Sequence, residues 1–322
     1  MRVFDGHCDT LLALIGRSLY PEERAPRDFF TKNTLGQVDL PRLEAGGLAC
    51  QVFACFAGDP LPPEGAFAIT ERLLDTLNGI VLRSGGRLVA VRSDAELASA
   101  LDSGAVGALA SIEGGECLEG DLGRLRHFYA RGIRMLGLTY NRRNELGRGV
   151  RAEGTDGLSS FGREVLRECA RLGIIVDVSH LSDEGLRDAL AASDLPLVAS
   201  HSNCRAYSSH IRNLRDDQIV DIGRTGGLVA VNAVPYFVEQ NQADATMDRL
   251  ADHIERIVRL AGIAAVGLGS DFDGYLPSGP TVKDAADWPT LEALLRRRGF
   301  CEGDLDKLFL GNWRRVLKTV QG

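Results

Sequence analysis

The sequence predicts an α/β fold, a closed (β/α)8 TIM barrel of the metal-dependent hydrolase type, on three observations. Apolar, β-rich runs alternate with helix-like stretches, and eight such runs fall within about 270 residues, the density of a parallel barrel. Several runs end in metal-ligand residues, at the strand ends where barrels carry their sites. No Gly-x-Gly-x-x-Gly follows the first run, which weakens the alternative of an open dinucleotide-binding sheet. Residues 1–322 are expected to form a single barrel domain with C-terminal helices.

The strand runs are 2–7, 48–56, 106–113, 133–140, 173–180, 195–201, 227–233 and 264–271. Helical patterns intervene at 65–84, 94–103, 122–131, 160–172, 182–193, 215–226 and 246–261. In the fourth of these, apolar residues recur at helical spacing from Val165 to Leu172, and Gly173 stops the pattern. Ser182 offers a capping hydroxyl, and Asp183 and Glu184 put acids in a first turn. Residues 14–38, 233–245 and 274–290 read as long loops after the first, seventh and eighth strands. The first two would overhang the strand ends and close over a substrate. From 291 to 321 the chain reads as helices packed on the barrel.

Composition narrows the function. Hydrophobic residues at 44% and charged residues at 25% are ordinary for a globular protein. A net charge of −7, with scattered arginines, argues against a nucleic-acid partner. No apolar run approaches the roughly 20 residues that span a bilayer, so no membrane partner is expected. Val3 and Phe4 already read as strand, with a candidate ligand at residue 7, so no signal peptide is read and the cytoplasm is the expected location. The seven cysteines are odd in number and lack a Cys-x-x-Cys, which fits neither a disulfide framework nor a zinc ribbon. Cys8 lies between two candidate ligands, but strand alternation turns it to the opposite face.

The candidate ligands close four of the runs: Asp5-Gly6-His7-Cys8-Asp9, Ser111-Ile112-Glu113-Gly114, Asp177-Val178-Ser179-His180 and Ala199-Ser200-His201. His7 and Asp9, two apart on a strand, face the same side and suit one ion. A single catalytic zinc takes three protein ligands and keeps a fourth position open. Five ligands exceed that and suit two ions, with Glu113 as the carboxylate between them because its strand lies between the His7/Asp9 pair and the two later histidines. Asp9, Glu113, a bridging hydroxide and Asp271 would balance the charge of two divalent ions. A hydroxide held between ions about 3.5–4 Å apart is a nucleophile at neutral pH.

The ordered set of motifs resembles the membrane (renal) dipeptidases and their bacterial relatives, metal-dependent barrels of the amidohydrolase type. The resemblance runs from Asp5-Gly6-His7-Cys8-Asp9 through Ser111-Ile112-Glu113-Gly114, Asp177-Val178-Ser179-His180, Ser200-His201-Ser202-Asn203, Arg212-Asn213 and Gly267-Leu268-Gly269-Ser270-Asp271-Phe272-Asp273-Gly274 to Gly311-Asn312. It implies zinc-dependent hydrolysis of free dipeptides, including those with a C-terminal D-residue, with small dipeptides as the binding partners; other divalent metals and a homodimer are compatible with it. It implies His7 and Asp9 as ligands of one Zn2+, His180 and His201 as ligands of the other, and Glu113 as the bridge. Arg212, with Asn213 beside it, matches the site of the substrate's terminal carboxylate, and Asp271 matches the carboxylate that moves the proton. Asp273, on the same strand parity, competes with Asp271, which the resemblance favours.

One position departs from the family. Tyr140, in Leu138-Thr139-Tyr140-Asn141, stands where the relatives usually carry a histidine that helps polarise the scissile carbonyl. A phenol donates a hydrogen bond but does not titrate near neutrality. The change leaves hydrolysis intact as an expectation and bears on substrate choice. Arg142, Arg143 and Arg148 read as loop residues, and His127, His210 and His253 fall in helix or loop patterns outside the ligand set. The competing readings are another binuclear amidohydrolase, acting on a lactone, phosphoester or N-acyl amino acid, and a metal-binding module without catalysis.

Overall fold

The architecture was obtained as a computed structural model that describes residues 1–322 apart from 21, 24, 62–63, 277–280 and 322. Its strands are β1 (Val3–Cys8), β2 (Leu48–Phe56), β3 (Leu88–Ala90), β4 (Val106–Glu113), β5 (Ile133–Gly137), β6 (Ile175–Asp177), β7 (Leu197–Ala199), β8 (Leu228–Val231) and β9 (Val266–Leu268). Eight of them close a parallel barrel in the order β1-β2-β4-β5-β6-β7-β8-β9, and β9 returns to β1 through Asp5 and Leu268. This is the (β/α)8 barrel expected from the alternating runs. The addition is β3, which pairs only with the start of β4, on the edge that β5 occupies further along.

The helices follow their local chemistry. Those at Asp94–Ser103, Leu122–Arg131 and Ser160–Leu172 fill the expected residues. Each begins under a Ser or Asp side chain that accepts a backbone N–H, and each ends at a left-handed glycine: Gly104, Gly132 and Gly173. Helix Ala66–Arg83 buries Ile69, Leu73, Leu77 and Ile80, a stripe at helical spacing, against the strands. The segment expected as a loop at 233–245 carries a short α-helix, Pro235–Val238, and a 3-10 turn, Gln242–Asp244. Part of the loop expected at 274–290 and two residues of that at 14–38 lie outside the described residues.

Two apolar layers hold the barrel. One lies between the strands and the surrounding helices. The other is the barrel interior, where Phe4, Val52, Leu109, Met135, Ile175 and Val198 meet Trp313, Val316 and Leu317 of the last helix, Asn312–Gln321. That helix plugs the end of the barrel remote from the site. Trp313 stacks on Phe4 at 5.0 Å between ring centroids and donates its indole N–H to the Leu268 carbonyl. A side chain on Gly6 would place its Cβ 2.2 Å from the indole, so the plug requires glycine there.

The same strand explains how the ligands turn inward. Phe4 and Gly6 face the plug, yet His7 and Asp9, of opposite parity, face the site. The register of β1 slips between Asp5 and Cys8 to allow this. Asp5 fastens the irregularity: its Oδ1 accepts the N–H groups of His7 at 3.3 Å and Ser270 at 2.8 Å. Burial raises the Asp5 carboxyl to about 6. Cys8 packs in the outer apolar layer, away from the site.

Candidate active site

The C-terminal ends of the strands open into a cleft of about 360 Å³. His7 comes from β1 and Asp9 from the residue just after it, Glu113 from β4, His180 from the turn after β6 and His201 from the turn after β7. All five are buried. Glu113 lies between two groups. Its Oε2 is 3.5 Å from His7 Nε2, which is 3.6 Å from Asp9 Oδ2. Its Oε1 is 3.1 Å from His180 Nε2 and 3.5 Å from His201 Nε2.

Proton bookkeeping shows what these atoms want. Asn141 Oδ1 lies 3.0 Å from His180 Nδ1, and an amide oxygen only accepts, so that nitrogen carries the proton. Ser200 gives its hydroxyl proton to Asp177 and therefore accepts from His201 Nδ1, 2.7 Å away. Both histidines thus turn a bare Nε2 lone pair inward, 2.9 Å apart and beside a carboxylate oxygen. Burial, then the neighbouring cations, hold both well below the usual imidazole range and keep them neutral. Converging acceptors with no proton to share are the donor set of a cation. His7, buried with neither ring nitrogen hydrogen-bonded, completes a second such group with Asp9 and Asp271. The residues fit divalent metal, with Asn141, Asp177 and Ser200 fixing the tautomers from behind.

Asp271 faces the His7 side. Asn232 Nδ2 lies 3.3 Å from its Oδ2, and a Cβ on Gly274 would come within 2.5 Å of Oδ1 and 2.3 Å of Asp9 Oδ2. Loss of solvent, then the charges of Asp9 and Glu113, raise its carboxyl well above the usual range against the pull of His7. Its competitor Asp273 is otherwise engaged, accepting from Thr10 Oγ1, Arg27 Nη1 and the Gln37 N–H, each at 2.8 Å. Asp273 therefore fastens the loop after β1 to the end of β9. His180, Asp271 and Asp273 all adopt left-handed backbone, with φ of 65°, 65° and 64°.

Arg212 is buried in the cleft wall. It donates to Ser202 Oγ at 3.3 Å and the His201 carbonyl at 3.2 Å, lies over the Phe237 ring, and leaves its Nε without a partner. Among the described residues no carboxylate pairs with it. Asn213 differs from expectation. Its amide donates to the Ser208 and Phe237 carbonyls, which ties two loops together, and it does not line the cleft. Its amide protons are committed to backbone and are not free for substrate.

Tyr140 stands at the cleft between Phe56 and His180, each 4.4 Å away by ring centroid. Burial raises its phenol above the ordinary value, so it stays protonated, and its hydroxyl has no hydrogen-bond partner among the described residues. The loops expected to overhang the site contribute Leu19, Tyr236 and Phe237 to its walls. Several residues escaped the sequence reading: Asn141, Ser200, Asn232 and Arg151. Ser200 adjoins the candidate ligand His201 and Asn141 adjoins Tyr140 in sequence; Asn232 and Arg151 carry no such signal.

Known proteins resemble this chain over most or all of its length. Residues 1–322 match a family model described as membrane dipeptidase, peptidase family M19. The chain is 32% identical over 309 residues to an uncharacterised dipeptidase of Schizosaccharomyces pombe, covering 91% of this chain and 74% of that one. Among solved structures, a metallopeptidase from Rhodobacter sphaeroides, liganded with a phosphinate mimic of L-Ala-D-Ala, is 31% identical with a TM-score of 0.90 and 99% of each chain covered. A dipeptidase of family M19 is 32% identical with a TM-score of 0.89, covering 100% of this chain and 99% of that one.

Proposed function

The chain belongs to the membrane dipeptidase family, and from that membership we propose how this metal-dependent dipeptidase uses the residues of its cleft. His7 and Asp9 would hold one Zn2+, His180 and His201 a second, and Glu113 would bridge them. The two oxygens of Glu113, each turned to one group, support that division. When bound, such ions polarise the scissile carbonyl and lower the pKa of a water.

The protein's own groups do the rest. Arg212 is the observation that carries the substrate assignment. A guanidinium buried without an anion is costly, and a planar fork suits a carboxylate. It would hold the α-carboxylate of the dipeptide. Beside it the cleft wall is completed by Tyr236 and Phe237, from the loop after β8. Tyr140 would donate its phenol proton to the developing oxyanion. Asp271, on the His7 side of the cleft, would accept a proton and return it to the leaving amine. A C-terminal D-residue is accepted in this reading, supported by the L-Ala-D-Ala mimic held by the Rhodobacter sphaeroides relative.

No helix among the described residues is long and apolar enough to cross a membrane. We place the enzyme in the cytoplasm, a reading supported by seven cysteines that are all free.

Amidation of the substrate's C-terminus tests the Arg212 assignment. The amide of a good dipeptide should lose most of kcat/KM in the wild type, and Arg212→Ala should remove the distinction. Equal cleavage of acid and amide by the wild type would reject it.

A further inference from the structure

The loop after β5 brings a second arginine to the cleft. Arg151 lines it, with its side chain exposed to solvent. Its backbone is rooted in the catalytic floor. The Arg151 N–H donates to the Asn141 carbonyl at 2.9 Å, and the Val150 N–H to the His180 carbonyl at 2.8 Å. Gly149 makes this close approach available, since a Cβ there would lie 2.0 Å from the Tyr140 carbonyl oxygen. The position of Arg151 is therefore tied to Tyr140, Asn141 and His180.

Its charge is uncommitted. In the same loop Arg142 pairs with Asp59, Arg143 with Asp156 and Arg148 with Glu184. Arg151 has no carboxylate partner among the described residues. It lines the same cleft as Arg212, His180 and Tyr236. Burial, then these two arginines, push His210 down to about 4, so it stays neutral and the wall carries two cations. A single α-carboxylate answers one of them.

We propose that this wall selects dipeptides whose C-terminal residue has an acidic side chain, with Arg212 holding the α-carboxylate and Arg151 the side-chain carboxylate. The proposal rests on the dipeptidase reading and names the substrate class within it. On the other wall Asp59 is already paired with Arg142, and among the described residues that line the cleft no further free arginine is left to hold an acidic side chain on the N-terminal residue. Arg151 is solvated when nothing faces it, so a neutral C-terminal side chain is disfavoured only relatively. The selection is a preference and not a requirement.

The test compares Ala-Asp with Ala-Asn and Ala-Glu with Ala-Gln, each with the C-terminal residue in L and D form. These pairs differ in charge at nearly constant shape. The wild type should favour the acid by roughly tenfold or more in kcat/KM, the range of a hydrogen bond to a charged group. The ratio should shrink as salt is raised, because the contact is solvent-accessible. Arg151→Gln should bring the ratio near one, and Arg151→Glu should turn the preference toward Ala-Lys. Because each measurement is a ratio within one preparation, partial loss of fold or metal does not disguise it. An acid-to-amide ratio near one in the wild type, or a ratio unchanged in Arg151→Gln, overturns the proposal. Failure of the wild type to cleave any of these dipeptides would instead count against the dipeptidase reading.

Discussion

His180 and His201 turn their Nε2 atoms toward each other across 2.9 Å, each with its proton held on the far nitrogen. Two lone pairs at that separation, beside Glu113 Oε1, repel unless a cation lies among them. Gently purified protein should therefore carry close to two equivalents of divalent metal per chain. Glu113→Gln should lose at least one by elemental analysis, and chelation should lower Tm because a metal that binds only the folded state stabilises it. A fully active enzyme with one ion would remove Glu113 from its bridging role.

Asp271 and Asp273 should separate cleanly. Asp271→Asn should keep its metal and lose about 10²–10⁴-fold in kcat, the range for a general acid-base group. Asp273→Asn should chiefly cost stability, roughly 2 kcal/mol, because it weakens a charge-assisted contact to the buried Arg27, which keeps Glu23 as its other partner. Urea denaturation and steady-state kinetics on both variants check this. An intact kcat in Asp271→Asn would move the proton transfer elsewhere.

Tyr140→Phe keeps the ring between Phe56 and His180 and removes only the hydroxyl. If the phenol donates to the oxyanion, kcat should fall about 10–10³-fold with little change in KM. A change confined to KM would make the ring a pocket wall.

His253 gives the fold a pH dependence remote from the metal ligands. It is fully buried, accepts the Cys204 N–H on Nδ1 and donates from Nε2 to the Val238 carbonyl. Burial lowers it to about 4. The unfolded chain, with imidazole near 6.5, binds the proton first, so stability present above pH 6.5 is lost as pH falls toward 4. The loss should approach roughly 3 kcal/mol, and His253→Gln should flatten that part of the profile. Parallel profiles for the two proteins would contradict this role.

The barrel was legible because its apolar runs and glycine stops are local signals. Gly132 and Gly173 end their helices where the pattern ends. β3 was not legible: Leu88–Ala90 is three residues long, only Leu88 is buried, and nothing in so short a stretch shows periodicity. The runs also overstate strand length. The residues after Asp177 leave the ladder so that His180 can turn inward, and a polar strand end looks the same whether or not it is still paired. The ligand candidates could be read because they sit at the ends of apolar runs. Asn213 was expected at the substrate from its adjacency to Arg212, yet adjacency says nothing of which carbonyls its amide finds. Arg151 was missed because an arginine in a polar loop has no signal until its neighbours' carboxylates are counted.

The left-handed backbone at His180, Asp271 and Asp273 has a consequence for how this protein can change. A side chain in that conformation costs of order 1 kcal/mol or more that glycine would not incur. In metal-free conditions, where His180 holds no stabilising ion, selection for heat resistance alone would therefore favour glycine at His180 and Asp271, and would discard the two side chains that the proposed chemistry needs. Libraries screened for thermal tolerance should collect inactive survivors at these positions. A thermostable version of the enzyme has to gain its stability elsewhere, in the outer helices or the barrel plug.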